Sequence, residues 1–350
     1  MIKSEKQFYI FGMGPREKYI YKEGGELIQF STGRVAYKFD IDNEKFLFDR
    51  YMVVLWTKDK KTYNIYENEN GVYIRNISNG DEGEIITLTE SEKINLPDFE
   101  EYKYPEQLRI LHAEILTSFL GNDPVPNIYV YKKPWYRDGA MMALALEKTG
   151  NLHLIKNWAL SVTELYDRNN KGNMEPDNLG QLAYVLSHFV DKSYPLINKI
   201  VEEAKSRMED GVLTGLVDYS HHEVYANLWL RLALERLDID TSFIKIPKRL
   251  DSYARMFWMD KRDIETEEPF QFTYDAKYPY LTWALWHFRN DPVPKELLEI
   301  KYPMSHEIEA SEAIYENIAP LSLEYAKNKC GAPHSWHAAE MLAYLIEMKK

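Results

Sequence analysis

Four stretches of this 350-residue chain gather side chains that can move protons or bind sugar hydroxyls. The densest is Pro134-Trp135-Tyr136-Arg137-Asp138-Gly139, which opens an apolar run from Ala140 to Leu146. A helix apolar nearly all round is a buried one, so Arg137 and Asp138 stand at the edge of a core. There they bind hydroxyls, or form an N-cap with an ion pair; one carboxylate can do both. Glu175-Pro176-Asp177-Asn178 has the same make-up, with Asp177 either a ligand or an N-cap. Asp218-Tyr219-Ser220-His221-His222-Glu223 and His334-Ser335-Trp336-His337-Ala338-Ala339-Glu340 complete the set. Two carboxyl groups suffice for glycosidic hydrolysis with inversion, one protonated at the leaving oxygen and one activating a water. They stand about 6.5–9.5 Å apart to admit that water. Burial among Trp135, Tyr219 and Trp336 would raise the pKa of the acid.

Competing chemistry is thinner. His334-x-x-His337-x-x-Glu340 and the His221-His222 pair have spacings that suit zinc, but no His-Glu-x-x-His occurs and histidine is also a good hydroxyl partner. No metal is expected. Gly12-Met13-Gly14-Pro15-Arg16 opens no helix, so there is no phosphate loop and no cofactor is expected. Cys330 stands alone and cannot form an internal disulfide.

The elements that must position these residues change in texture near residue 100. Before it, short β-rich runs alternate with turn signals: Gln7–Phe11, Lys18–Tyr21, Arg34–Asp40, Tyr51–Thr57, Thr62–Glu67, Val72–Asn76 and Glu84–Thr89. Asn70-Gly71 and Asn79-Gly80-Asp81 sit where hairpin turns belong. Residues 1–97 are therefore expected to form a small antiparallel, sandwich-like β domain, followed by a linker at 98–104. From 105 to 350 the period becomes helical. Ile155/Trp158/Ala159/Val162/Leu165/Tyr166 form one stripe, Leu179/Leu182/Ala183/Leu186/Phe189/Val190 another and Ala338/Ala339/Leu342/Leu345/Ile346 a third. About twelve segments are expected, starting near 105, 138, 152, 177, 192, 223, 251, 278, 296, 307, 317 and 336. Alternate ones, at 138, 177, 223, 278, 307 and 336, follow loops rich in polar and aromatic residues. That alternation predicts an α/α toroid, an (α/α)6 six-hairpin barrel with its chemistry gathered at one set of helix ends.

Trp135-Tyr136-Arg137-Asp138-Gly139-Ala140 resembles the Arg-Asp motif of glucoamylase-like (α/α)6 glycoside hydrolases, glycoside hydrolase family 15 and its relatives. His334-Ser335-Trp336-His337-Ala338-Ala339-Glu340 is similar to their C-terminal Trp-Ser-His-Ala-Glu stretch. The resemblance spans roughly 105–350 and implies Arg137 and Asp138 as binders of the terminal sugar and Glu340 as catalytic base. The chain departs from the family at the acid. No Leu-Trp-Glu is present, and Asp218, ahead of Glu223, stands at that position. Trp135, Tyr136, Glu175, Asp177, Asn178, Tyr219, His221, His222, His334, Trp336 and His337 complete the expected sugar-binding set. The function implied is hydrolysis of a small, α-linked, glucoside-type oligosaccharide. The altered acid position leaves two alternatives. One is a sugar epimerase or polysaccharide lyase using His221, His222, His337 or Tyr219 as proton shuttle. The other is a carbohydrate-binding protein without catalysis.

Composition narrows the partners. Aromatic residues make up 14%, with 26 Tyr and 8 Trp, and such rings offer the flat apolar faces on which sugars stack. Forty-three Lys and Arg against 55 Asp and Glu give a net charge of −12, which argues against nucleic acid. The first residues lack the apolar stretch of a signal peptide and no later run reaches membrane-spanning length, so a cytoplasmic protein is expected. Oligomeric state leaves no mark in the sequence.

Overall fold

A computed structural model describes residues 2–78, 83–168, 171–247, 298–299, 301–310 and 312–348. Nine strands come first. β1 (Phe8–Phe11), β2 (Tyr19–Lys22), β3 (Glu26–Gln29) and β4 (Arg34–Lys38) form one antiparallel sheet in sequence order. β5 (Ile41–Leu47), β6 (Met52–Thr57), β7 (Thr62–Glu67), β8 (Gly71–Asn76) and β9 (Ile85–Glu90) form a second, also as a meander. Glu67 ties the two together. Its carboxylate accepts the N–H groups of Gly12 (2.8 Å) and Met13 (2.7 Å) and pairs with Arg16 at 2.9 Å, both side chains fully buried. A buried charge needs such partners.

The helices follow: α1 (Pro105–Thr117), α2 (Tyr136–Thr149), α3 (His153–Ser161), α4 (Asp177–Leu186), α5 (Pro195–Ser206), α6 (Glu223–Arg236), α7 (Leu323–Lys327) and α8 (Ser335–Leu345). α8 packs between α1 and α2, α2 packs on α4, and α4 on α6. This row carries the core. α4 is buried at every position and α8 at every position but Trp336. The first sheet sits against α1: Gly14 N–H donates to Leu116 O at 2.7 Å, and Tyr302 joins Phe8, Tyr9 and Phe48 in an aromatic cluster.

The (α/α)6 six-hairpin toroid expected over 105–350 is not what forms. The described residues hold 17 strands in six sheets beside eight α-helices, a large antiparallel β part plus helices. Four two-stranded pairs thread the helical half: β10–β11 (Phe119–Leu120, Asp123–Pro124), β12–β13 (Met208–Glu209, Val212–Leu213), β14–β15 (Leu216–Val217, Ser220–His221) and β16–β17 (Glu307–Ile308, Cys330–Gly331). The helix expected at 307 is instead β16, and Glu309, at φ 58°, turns the chain out of helical conformation. The one expected at 317 is a single 3-10 turn, Tyr315–Ile318, with Pro320 two residues beyond it, where the chain lacks the N–H a longer helix would use. The expected helices near 251, 278 and 296 and the turn at 79–81 lie outside the described residues.

Gly180 sets the closest approach in the row. A Cβ there would lie 2.4 Å from Leu230 N and 2.7 Å from Trp229 C, so α4 and α6 meet backbone to backbone. Gly180→Ala is expected to destabilise by about 1–3 kcal/mol, because the obstacle is a helix axis rather than a movable side chain. Denaturant unfolding checks it; an unchanged midpoint would contradict this contact.

Candidate functional site

The starts of α2, α4 and α8, the β14–β15 turn and the segment around β16 surround a cavity of about 300 Å³. Of the residues expected to act on sugar, it is lined by Trp135, Arg137, Asp138, Glu175, Asn178, Asp218, Tyr219, His334, Trp336 and His337. These come from positions two hundred residues apart (135 to 337) and meet because α8 packs directly on α2.

Arg137 organises one wall. Its Nη2 donates to Glu175 Oε2 at 2.9 Å and its Nε to Asp177 Oδ2 at 3.0 Å, while its guanidinium lies 5.6 Å from the centre of the Trp336 ring. Glu175 Oε1 accepts the Asp218 N–H at 2.9 Å. Asp218 (φ 49°) and Tyr219 (φ 65°) form the two-residue turn between β14 and β15, both left-handed. Such conformations cost about 1–3 kcal/mol each outside glycine, and the Glu175 contact fixes the turn in place. Asp177 is wholly buried behind Arg137, where Gln181 Nε2 also donates to it at 2.8 Å. It is a support for the arginine rather than the N-cap of α4.

Asp138 lies in the opposite chemical setting. It is 6% exposed, and burial pushes its carboxyl up to about 6, with the Glu307 charge adding to the effect and His334 and Arg137 opposing it. Beside it, His334 Nε2 contacts Glu307 Oε2 at 2.9 Å. Burial disfavours the charged imidazole, but Glu307 and Asp138 outweigh it and hold His334 above its ordinary value. His337, packed 4.6 Å from His334, is driven well below its ordinary value by burial and by that neighbouring charge. It is therefore neutral, and its Nδ1–H donates to His306 O at 2.5 Å.

Asp167, Tyr131, Glu307, Glu309 and Glu312 also line the cavity and were not among the expected residues. Asp167 supplies the cap that was one of the two roles open to Asp138: its Oδ2 accepts the Tyr136 N–H at 2.7 Å, at the start of α2. Burial pushes its carboxyl up to about 7. Only Glu307 had a sequence signal, the dense loop Tyr302-Pro303-Met304-Ser305-His306 in front of it.

Five expected residues do not line the cavity besides Asp177. Tyr136 packs edge-on to Trp158 and donates its hydroxyl to Glu164 O at 2.8 Å. His221, its side chain 67% exposed, pairs with Glu223 Oε1 at 3.0 Å, and His222 is buried at the start of α6. Glu340 departs furthest from expectation. It is fully buried, neither carboxylate oxygen has a partner among the described residues, and burial raises its pKa well above the ordinary value. A carboxyl buried away from the cavity cannot take a proton from a water held there, so the base role implied for Glu340 has no support in this geometry. The physical reason is that α8 opens on the cavity only at its first turn, through Trp336 and His337, and is buried at every later position, so leaving the Ala338/Leu342 stripe there does not lead to water.

No protein family, curated protein or solved structure matches this chain. The likeness to glucoamylase-like hydrolases rests on the short motifs alone. Among the described residues, no three His, Cys, Asp or Glu side chains are grouped to hold a metal ion, and no helix is long and apolar enough to cross a membrane.

Proposed function

We propose that this protein is a glycoside hydrolase acting on the terminal unit of a small saccharide, with Asp138 as proton donor and Asp218 as the carboxylate that activates water. The observation that carries the reading is Asp138: a buried carboxyl with a raised pKa, in the wall of a cavity flanked by Trp135, Trp336 and Tyr131 and shared with a second, exposed aspartate. Asp138 gives its proton to the glycosidic oxygen as the C–O bond breaks. Asp218 removes a proton from the attacking water, and the anomeric centre inverts. Glu175 is set aside as base because both its oxygens are engaged. A cavity of about 300 Å³ lies at the small end of ligand sites, which favours one sugar ring over a long chain.

A second reading, sugar epimerisation, is favoured by one observation. The Glu307–His334 pair leaves His334 Nδ1 buried and without a partner among the described residues, as a proton-shuttling imidazole needs. A panel of oligosaccharides and nitrophenyl glycosides, followed by mass spectrometry in D2O, separates the two. Released sugar without carbon-bound deuterium supports hydrolysis. Solvent deuterium on carbon with no released sugar transfers the assignment to His334 and Glu307.

A further inference from the structure

We propose that Glu114 of α1, which does not reach the cavity, is the positioning residue that sets the cavity's two imidazoles through the segment Met304–Glu307. This rests on the reading that the cavity is the reactive site. Glu114 is fully buried, and its two oxygens hold consecutive groups of that segment. Oε1 accepts Met304 N–H at 2.5 Å; Oε2 accepts Ser305 N–H at 2.9 Å and the Ser305 hydroxyl. The next links lead straight to the histidines. Ser305 Oγ accepts the His334 N–H at 3.0 Å, His306 O accepts His337 Nδ1–H, and Glu307 contacts His334 Nε2. Each cavity imidazole is thus oriented by a residue that Glu114 holds or adjoins.

Only a carboxylate fits this place. It offers two acceptor oxygens to two successive N–H groups and a hydroxyl, whereas an amide would turn an NH2 against one of them. No Lys or Arg among the described residues pairs with it, so the arrangement keeps an uncompensated buried acid, which a fold retains at a cost.

The test reads the imidazoles directly in protein labelled with 15N-histidine, nine rings in all, each with two nitrogens. In the wild type, His337 should show the neutral Nδ1–H tautomer and His334 should titrate above the ordinary range. In Glu114→Gln, His337 should lose its single tautomer, and the His334 midpoint should fall by roughly one pH unit as its Glu307 contact loosens. His112, also buried on α1 but bonded to Asn151, should keep its signal. Ser305→Ala, a milder change, should move His334 and leave His337. Unchanged His334 and His337 signals in Glu114→Gln, or a His112 shift as large as theirs, would overturn the proposal. If Glu114→Gln does not fold, an unmoved His334 in Ser305→Ala does the same. Failure of the hydrolase reading would look different: no sugar turnover, with the imidazole signals as described.

Discussion

Asp138→Asn is expected to lower kcat by about 10²–10⁴ on unactivated saccharides while leaving KM nearly unchanged. Asparagine keeps the shape and can still meet a hydroxyl, but it has no proton to give the leaving oxygen. Nitrophenyl glycosides, whose leaving groups need little protonation, should lose far less. The pH profile adds a second check. Burial pushes the Asp138 carboxyl up to about 6, so wild-type turnover should decline as pH rises through that value and the donor ionises. Residual activity of the variant should lack that decline. Equal turnover by wild type and variant on an unactivated disaccharide would remove Asp138 from the mechanism.

Glu340→Met is expected to stabilise the protein by about 1–3 kcal/mol at pH 5 and by more at pH 8, with turnover little affected. The carboxyl is buried without partners among the described residues, and methionine is an unbranched side chain of similar length. The sign follows from linkage. The folded carboxyl keeps its proton above the pH at which the unfolded chain releases it, near 4.5. The wild-type protein therefore suffers no ionisation penalty from this group below about 4.5 and loses about 1.4 kcal/mol of stability per pH unit above it, until the folded group ionises. Wild type should lose stability from pH 5 to 8 more steeply than the variant, as thermal melts across that range would show. A variant of unchanged melting temperature that has lost most of its activity would return Glu340 to the chemistry.

Much of the β part was legible because its strands obey the simple pattern: β6 to β8 match the alternating runs at 51–76. β5, Ile-Asp-Asn-Glu-Lys-Phe-Leu, was not, since polar residues dominate it. As an edge strand it needs only one paired side, and Asp and Asn can sit there at little cost. Trp135, Arg137 and Asp138 were legible as a site because charge placed ahead of an apolar helix must meet the core's rim. Asp167 was not: it reaches Tyr136 across 31 residues from a loop beyond α3, and no local spacing signals that contact. Glu340 shows the limit of stripe reasoning. On a helix with one wet face, leaving the apolar stripe means reaching water; on α8, enclosed by neighbours, it means reaching a different part of the interior.

Tyr302 sits among Phe8, Tyr9 and Phe48 of the β part, five residues ahead of the Glu307 that meets His334. The first sheet is thereby a footing for one wall of the cavity, not a module strung in front of it. Shuffling the β part for another, as happens with independently folding appendages, would unseat that wall. The two halves are bound to a common evolutionary fate: substitutions in the Phe8–Tyr9 strand and around Tyr302 must change in step, so a relative that keeps the cavity should also keep the aromatic footing beneath it.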